Sequence, residues 1–286
     1  MNRFFRMGAA FGRSLFPEGA RVATPALVFF TTVLVVIAQL PENILLQTGY
    51  VSGSILLNEF LVVAGIPLIL IWLQGFDRKK LLPLRPPSAR LIALLLIFMT
   101  GAAIAIDYAT AASERVLPLP AELQEIFDRL MAVSSRSEVF WKLIVLCAVP
   151  AVCEEIFFRG FCQASLEARW GAPRAVVTTA VIFAVLHGNP YYLHLYFLLG
   201  LIFGWVFLVT RTLWAPILCH VLNNAWTFLN HVRDFKLPID GAPLEVNAAV
   251  GLAGVVLALA TAVLVRAAAQ EDLRRDAYVH RWPELE

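Results

Sequence analysis

Eight stretches of this chain are long and almost wholly apolar, with polar loops between them. A helix that spans the hydrocarbon core of a bilayer needs about 20 mostly apolar residues, and several of these stretches meet that length. The runs lie at about 25–40, 56–74, 91–112, 139–164, 175–187, 192–209, 213–230 and 247–266. They predict an all-α, polytopic transmembrane helical bundle of about eight spans. Because the first and fifth runs are short for a span, seven spans remain an alternative.

The composition agrees with a membrane protein. Hydrophobic residues make up 59% of the 286 residues and charged residues only 15%, whereas a soluble domain carries about 45–50% and about 25%. This excludes a plain cytosolic enzyme, a disordered tail and a secreted disulfide scaffold. The 23 basic and 21 acidic residues are too balanced to suggest nucleic-acid binding. The cysteines lie inside apolar runs and are expected to be small buried hydrophobic residues: Cys147, Cys153, Cys162 and Cys219.

Basic residues are concentrated in alternate loops. They precede the first run, separate the second from the third, and follow the fourth, sixth and eighth, whereas loops 41–55 and 188–191 contain none. Because loops rich in Lys and Arg stay on the cytoplasmic side, both termini are expected in the cytoplasm. An even number of spans agrees with this orientation. The sequence therefore predicts a multi-pass protein of the cell membrane, with the bacterial inner membrane as the expected setting and the lipid bilayer as a partner.

Three regions are expected along the chain. Residues 1–135 comprise a basic N-terminal segment, three spans and an amphipathic helix at 118–133 that is expected to lie on the outer membrane surface. Residues 136–232 form a predicted core region, which contains the candidate site residues described below. Residues 233–286 contain the last span and a polar cytoplasmic tail.

A few ionisable residues stand inside the apolar runs of the second half, where each costs roughly 2.5 to 3.5 kcal/mol on insertion scales. Glu155 and Arg159 are four residues apart, so they share a helix face and are expected to pair. Glu154 is rotated by about 100° from Glu155 and has no cationic partner on its own helix. A Glu–Arg pair of this kind could be only a structural brace.

Two further helices carry polar residues at similar spacing. Phe183 lies one turn before His187, and His220 lies four residues before Asn224, so each pair shares a helix face. A lone intramembrane His or Asn could simply bridge helices, but four such features on three helices favour a site.

The remaining ionisable residues are expected to lie outside this site. Asp107 and Glu59 are interpreted as interfacial, and His194 is expected near the outer face. His231 and His280 are expected in solvent.

These motifs resemble the CAAX protease and bacteriocin-processing family of intramembrane endopeptidases, which includes the Ras-converting (type 2) CAAX endopeptidase and abortive-infection relatives. The family pattern is EExxxR, FxxxH and HxxxN or HxxxD on successive core helices. The matching residues are Glu154-Glu155…Arg159, Phe183…His187 and His220…Asn224. The likeness covers roughly residues 140–230.

The resemblance implies hydrolysis of a peptide bond within the membrane. Glu154 would be the general base that activates a water, assisted by His187. His220 and Asn224 would stabilise the oxyanion, and Glu155 and Arg159 would brace the site. Amide hydrolysis does need a base and donors where negative charge develops.

Metal use is left open by the residues themselves. Glu154, His187 and His220 could form a two-histidine, one-carboxylate zinc site with an open position for water. The same residues could also serve a metal-free glutamate protease. In the zinc case Glu154 is a ligand and is not free to act as the base. No other cofactor is expected.

Two other functions compete with the endopeptidase. The first is a non-proteolytic scaffold or bacteriocin-immunity protein of the same family. The second is an ion-coupled transporter, which should show inverted repeats that the sequence lacks. For the endopeptidase, the expected partner is a membrane-associated peptide or protein substrate. Its identity and the oligomeric state do not follow from the sequence.

Overall fold

The computed structural model describes residues 21–47, 51–232 and 244–281. Outside the described residues lie the predicted basic N-terminal segment, most of the loop before the last span and the end of the tail. The prediction for the His280 side chain also falls outside what is described. The helices are α1 (Pro25–Gln47), α2 (Val51–Leu73), α3 (Arg78–Leu81), α4 (Ala89–Val116), α5 (Ala121–Met131), α6 (136–170), α7 (Ala172–Leu186), α8 (Leu193–Thr210), α9 (Trp214–His231) and α10 (Leu244–Arg281). The described residues contain no strand, so the predicted all-α class is confirmed.

Each of the eight apolar runs falls within one of the long helices. By length and composition, four helices of the described chain could cross a membrane: α2, α4, α8 and α10. The apolar parts of α1 and α7 are shorter. A helical membrane bundle is therefore confirmed, while eight spans and cytoplasmic termini stay predictions.

Local sequence signals explain where several helices begin and end. The Ser88 hydroxyl accepts a hydrogen bond from the Leu91 amide and caps α4, and the Asp77 carboxylate caps α3 in the same way. Gly171 has φ +78°, a backbone conformation that favours glycine, and it separates α6 from α7. Gly171 therefore sets the boundary between the helix that carries Glu154 and the helix that precedes His187.

Helices α4 and α10 pack along each other through small residues. A Cβ atom added at Gly101 would lie 2.9 Å from the Gly254 carbonyl oxygen, and one added at Gly254 would lie 2.7 Å from the Gly101 oxygen. Contact this close between two backbones is typical of membrane helices with small residues at the interface. Glycine is required at these positions because a side chain would collide with the backbone of the neighbouring helix.

Three segments of the bundle are π-helical: Asn58–Val63 in α2, and Leu143–Ala148 and Ile156–Gln163 in α6. The last two flank the short α-helical segment Val149–Glu155, which ends with Glu154 and Glu155. Wide helical turns of this kind are rare and frequently lie at functional sites. They mark α6 and α2 as the helices to inspect for chemistry.

Other sequence expectations can be compared with the helices directly. All four cysteines are free and buried, as predicted. The amphipathic segment forms α5, none of whose residues is buried. Its location on the outer membrane surface stays a prediction. His194 is exposed, and His231 lies 3.1 Å from the Asp128 carboxylate.

Asp107 forms a link between helices that the sequence did not indicate, and its interfacial location stays a prediction. Its carboxylate accepts hydrogen bonds from Trp226 Nε1 at 2.5 Å and from Asn230 Nδ2 at 2.9 Å. Asp107 therefore joins α4 to α9, the helix that also carries His220.

Candidate active site

The predicted pair between Glu155 and Arg159 is present and completely buried. Arg159 Nη1 donates a hydrogen bond of 2.8 Å to Glu155 Oε1. Arg159 Nη2 donates a second hydrogen bond, 3.1 Å long, to the Gly200 carbonyl oxygen of α8. The bond to Gly200 joins α6 to α8. The pair with Glu155 keeps the guanidinium in place, because removal of either partner would leave a buried charge.

Aromatic rings surround the Arg159 guanidinium. Its central carbon lies 5.8 Å from the ring centre of Phe158, 5.0 Å from Phe183 and 5.4 Å from Phe203. Cations within about 6 Å of an aromatic face are attracted by the ring quadrupole. The rings therefore stabilise a charge that has no access to water, and they connect α6, α7 and α8 around it.

The imidazole of His220 is attached to the same carboxylate. His220 Nδ1 lies 2.9 Å from Glu155 Oε1, the oxygen that also accepts from Arg159. A carboxylate oxygen in an ion pair is an acceptor, so Nδ1 carries the proton and donates. This orients the other ring nitrogen, Nε2, which lies 4.0 Å from Glu154 Oε2. The ring itself stacks on Phe203, with 4.7 Å between the ring centres.

Glu154 stands apart from the ion pair. Its Oε2 atom is buried and has no hydrogen-bond partner among the described residues. The 4.0 Å between this oxygen and His220 Nε2 is too long for a direct hydrogen bond. It is short enough for a single water to hydrogen-bond to both atoms. The predicted rotation of Glu154 away from Arg159 is thus seen in the structure.

His187 follows the last residue of α7 and is held from two sides. Its Nδ1 atom donates to the Phe183 carbonyl oxygen at 2.8 Å, which fixes the ring. The ring centre lies 4.4 Å from that of Phe183 and 4.1 Å from that of Tyr196, on which it stacks. Its Nε2 atom remains to bind a water or a substrate group.

Glu154 and His187 line one small cavity of about 80 Å³. The cavity is lined by Gln39, Glu59, Val63, Glu154, Phe158, Leu186 and His187. The expectation that Glu59 lies outside this site is wrong: the residue is only 7% exposed and lines this cavity. The misreading arose because Glu59 lies close to the start of its apolar run, where a carboxylate usually reaches water.

Asn224 is the predicted site residue that has no described hydrogen bond to the other site residues. It is half-buried, and its side-chain oxygen lies 3.5 Å from Asn223 Nδ2. No hydrogen bond between described residues joins it to His220 or Glu154. It nevertheless lies one turn after His220 on the same helix.

The possible metal set does not form a preassembled site. Across the residues that the structure describes, no group of three or more His, Cys, Asp and Glu side chains is arranged to hold a metal ion. Two of the three candidate ligands are Glu154 and His220. Their nearest atoms, Glu154 Oε2 and His220 Nε2, are 4.0 Å apart. Two ligands of one tetrahedral zinc at about 2.0–2.2 Å would be closer together than this.

Sequence reasoning missed the contribution of α8. Tyr196 stacks on His187, Gly200 accepts from Arg159, Phe203 stacks on His220, and the Gly204 carbonyl accepts from Gln163 Nε2 at 2.9 Å. These residues recur at helical spacing along one face of α8. That stripe of small and aromatic residues was a readable signal, but in an all-apolar span it resembles ordinary helix packing.

The fold and this site define a helical membrane protein with a buried acid–imidazole centre. Comparison with known proteins makes the class specific. Residues 136–226, which include all six predicted site residues, match the family model described as type II CAAX prenyl endopeptidase Rce1-like. This part of the chain is therefore similar to the CAAX-type membrane endopeptidases, in agreement with the resemblance that the motifs indicate.

A curated relative supports the same assignment. The Bacillus subtilis (strain 168) protein named "Putative membrane peptidase YdiL" is 24% identical over 128 residues. The match covers 45% of this chain and 50% of the relative, so the chain spans about half the length of the curated relative it matches. No solved structure matches this chain.

Proposed function

We propose that this protein is an intramembrane endopeptidase that hydrolyses a peptide bond of a membrane-associated protein or peptide precursor. The observation that carries the proposal is the position of Glu154. Its buried, unpartnered oxygen shares a cavity with His187 and lies 4.0 Å from His220 Nε2. A carboxylate that shares a cavity with one imidazole and lies near a second is suited to hold and deprotonate a water.

The proposed reaction uses Glu154 as general base. A water bound by Glu154, in the cavity next to His187, gives one proton to the Glu154 carboxylate while its oxygen attacks the scissile carbonyl carbon. The tetrahedral intermediate then collapses, and the proton held by Glu154 passes to the leaving amine nitrogen. One water is consumed, and a carboxylate product and an amine product are released.

His220 and Asn224 are proposed to stabilise the oxyanion. Because His220 Nδ1 donates to Glu155, its Nε2 can donate only when the ring is an imidazolium, in which both nitrogens carry protons. The Asn224 amide donates without such a change. Removing one donor of an oxyanion site typically lowers kcat by about 10² to 10³-fold.

Glu155 and Arg159 are proposed to position this machinery rather than to react. The carboxylate of Glu155 holds His220, and Arg159 holds both that carboxylate and the Gly200 carbonyl oxygen. The spacing between Glu154 and His220 favours a metal-free reaction over a zinc site. A purified protein that keeps full activity after dialysis against a strong chelator would support this choice, and loss of activity with restoration by zinc would overturn it.

The endopeptidase is tested by comparing membranes that contain the wild-type protein with membranes that contain Glu154→Gln. New protein termini are quantified by mass spectrometry in each. Glu154→Gln keeps size and hydrogen bonding but removes the base, so the termini produced by the wild type should disappear. His187→Ala and His220→Ala should remove the same termini.

The matched control is Glu122→Gln on the exposed helix α5, which makes the same chemical change far from the cavity. It should leave the set of termini unchanged. Identical termini from the wild type and from Glu154→Gln would overturn the proposal. Full phenotypic rescue by Glu154→Gln would instead favour a scaffold or immunity protein.

A further inference from the structure

The first half of the chain supplies an acidic residue to the candidate active site. Glu59 lies in the π-helical segment of α2 and is 7% exposed. It stands outside residues 136–226, the segment that matches the family. A carboxylate at such a position in an apolar span is costly, and residues of this kind mark functional sites by default.

The structure places Glu59 beside the proposed general base. The π-helical segment of α2 packs directly against Val149–Glu155 of α6, and Glu59 and Glu154 both line the 80 Å³ cavity. The Cys153 thiol, one residue before Glu154, lies within electrostatic reach of both carboxylates. His187 closes the same cavity from α7.

We infer that Glu59 is a positioning residue that orients the water deprotonated by Glu154, an inference that rests on the proposed function. A water has two protons, and the general base accepts only one of them. A second acceptor on another wall of the cavity fixes the remaining O–H bond and aims the oxygen lone pair at the substrate carbonyl. The Glu59 carboxylate supplies that acceptor from α2, and the binding site for the water is shared between the two halves of the chain.

The size of the effect follows from the role. Misplacement of a reacting group by about 1 Å can lower the rate by about 10²-fold. Loss of the Glu59 acceptor should therefore lower kcat strongly and leave KM almost unchanged, because the residue contacts the water and not the peptide.

The experiment compares Glu59→Leu, Glu59→Gln and Phe60→Leu in purified, reconstituted protein. The substrate is a quenched fluorescent peptide built on the most abundant new terminus found with wild-type membranes. Glu59→Leu should lower kcat by about 10²-fold. Glu59→Gln retains an acceptor oxygen and should keep at least a tenth of the wild-type kcat. Phe60→Leu changes a neighbouring residue that is 55% exposed and should leave both kcat and KM unchanged.

The outcomes separate this inference from the proposed function. If Glu154→Gln is inactive and Glu59→Leu cleaves at the wild-type rate, only the role of Glu59 is wrong. If Glu59→Leu and Glu59→Gln lose activity equally and both unfold at lower temperature, Glu59 is a structural acid and the inference is overturned. If the wild type and Glu154→Gln cleave alike, the proposed endopeptidase itself fails.

Discussion

The imidazole of His220 and the carboxylate of Glu155 are joined across two helices, with 2.9 Å between Nδ1 and Oε1. The same carboxylate oxygen accepts a hydrogen bond from Arg159. A single buried oxygen therefore sets the position of a proposed oxyanion donor on α9 relative to the proposed base on α6. The motif residues act as one connected unit, and this makes their energetics testable.

Arg159→Ala should destabilise the protein strongly. The guanidinium is fully buried, and its removal leaves Glu155 with His220 as its remaining hydrogen-bond donor. Breaking a buried ion pair from one side costs about 3–5 kcal/mol. The free energy of unfolding, measured by denaturant titration in mixed micelles, checks this.

The matched control for that prediction is Arg129→Ala. Arg129 pairs with Glu125 at 3.1 Å with the same four-residue spacing, but both side chains are about 70% exposed. An exposed pair contributes only about 0–1 kcal/mol. Equal losses for Arg159→Ala and Arg129→Ala would contradict the role assigned to the buried pair.

Phe203→Leu should impair cleavage more than it impairs folding. The Phe203 ring is completely buried and stacks on His220, so its loss lets the imidazole tilt while leucine still fills most of the space. Aromatic pairs contribute about 0.5–1.5 kcal/mol beyond burial, which corresponds to a loss of roughly 2- to 10-fold in kcat. Phe98→Leu disrupts the comparable pair with Trp205 and should leave kcat unchanged. A larger kcat loss in Phe98→Leu would count against ring stacking as the cause.

Asp107→Ala should loosen α9 from α4. The substitution removes the acceptor for Trp226 Nε1 and Asn230 Nδ2, and leaving these half-buried donors unsatisfied should cost about 1 kcal/mol, the lower end of the range for buried groups. Asp107→Asn keeps an acceptor oxygen and should retain most of the stability. Thermal unfolding of the two variants in detergent measures the difference, and equal unfolding temperatures would show that the hydrogen bonds contribute nothing.

Gly254→Ala should destabilise the contact between α4 and α10. The new methyl group would lie 2.7 Å from the Gly101 carbonyl oxygen, so one helix must move. Overpacking of this kind costs about 1–3 kcal/mol. Gly53→Ala has no atom within 4 Å of its new methyl group and should stabilise α2 by up to about 1 kcal/mol. Denaturant unfolding of the two purified variants measures both changes in the free energy of unfolding, a decrease for Gly254→Ala and an increase for Gly53→Ala.

The sequence predicted the helices and most of the site because both depend on local patterns. Long apolar runs define the helices, and a four-residue spacing is enough to place Glu155 next to Arg159. The same reasoning placed Phe183 against His187. These features follow from helix geometry alone, without knowledge of which helices are neighbours.

The parts that sequence did not predict depend on contacts between helices. Nothing in the local pattern around Glu59 shows that α2 packs against the segment that carries Glu154. The stripe on α8 that holds Arg159 and both histidines is apolar and looks like any packed span. The link made by Asp107 was missed for the same reason, since its partners lie more than a hundred residues further along the chain.

The π-helical turns on either side of Glu154 and Glu155 have a consequence for how the family can be compared. Each turn fits more residues into one revolution than an α-helix does, so it absorbs an extra residue without turning the later side chains to another face. Deleting one residue within Leu143–Ala148 would restore an α-helical turn and leave the two glutamates on the same face of α6. A relative without these turns would therefore align with this chain only through a single-residue gap, although its glutamates occupied the same place in space.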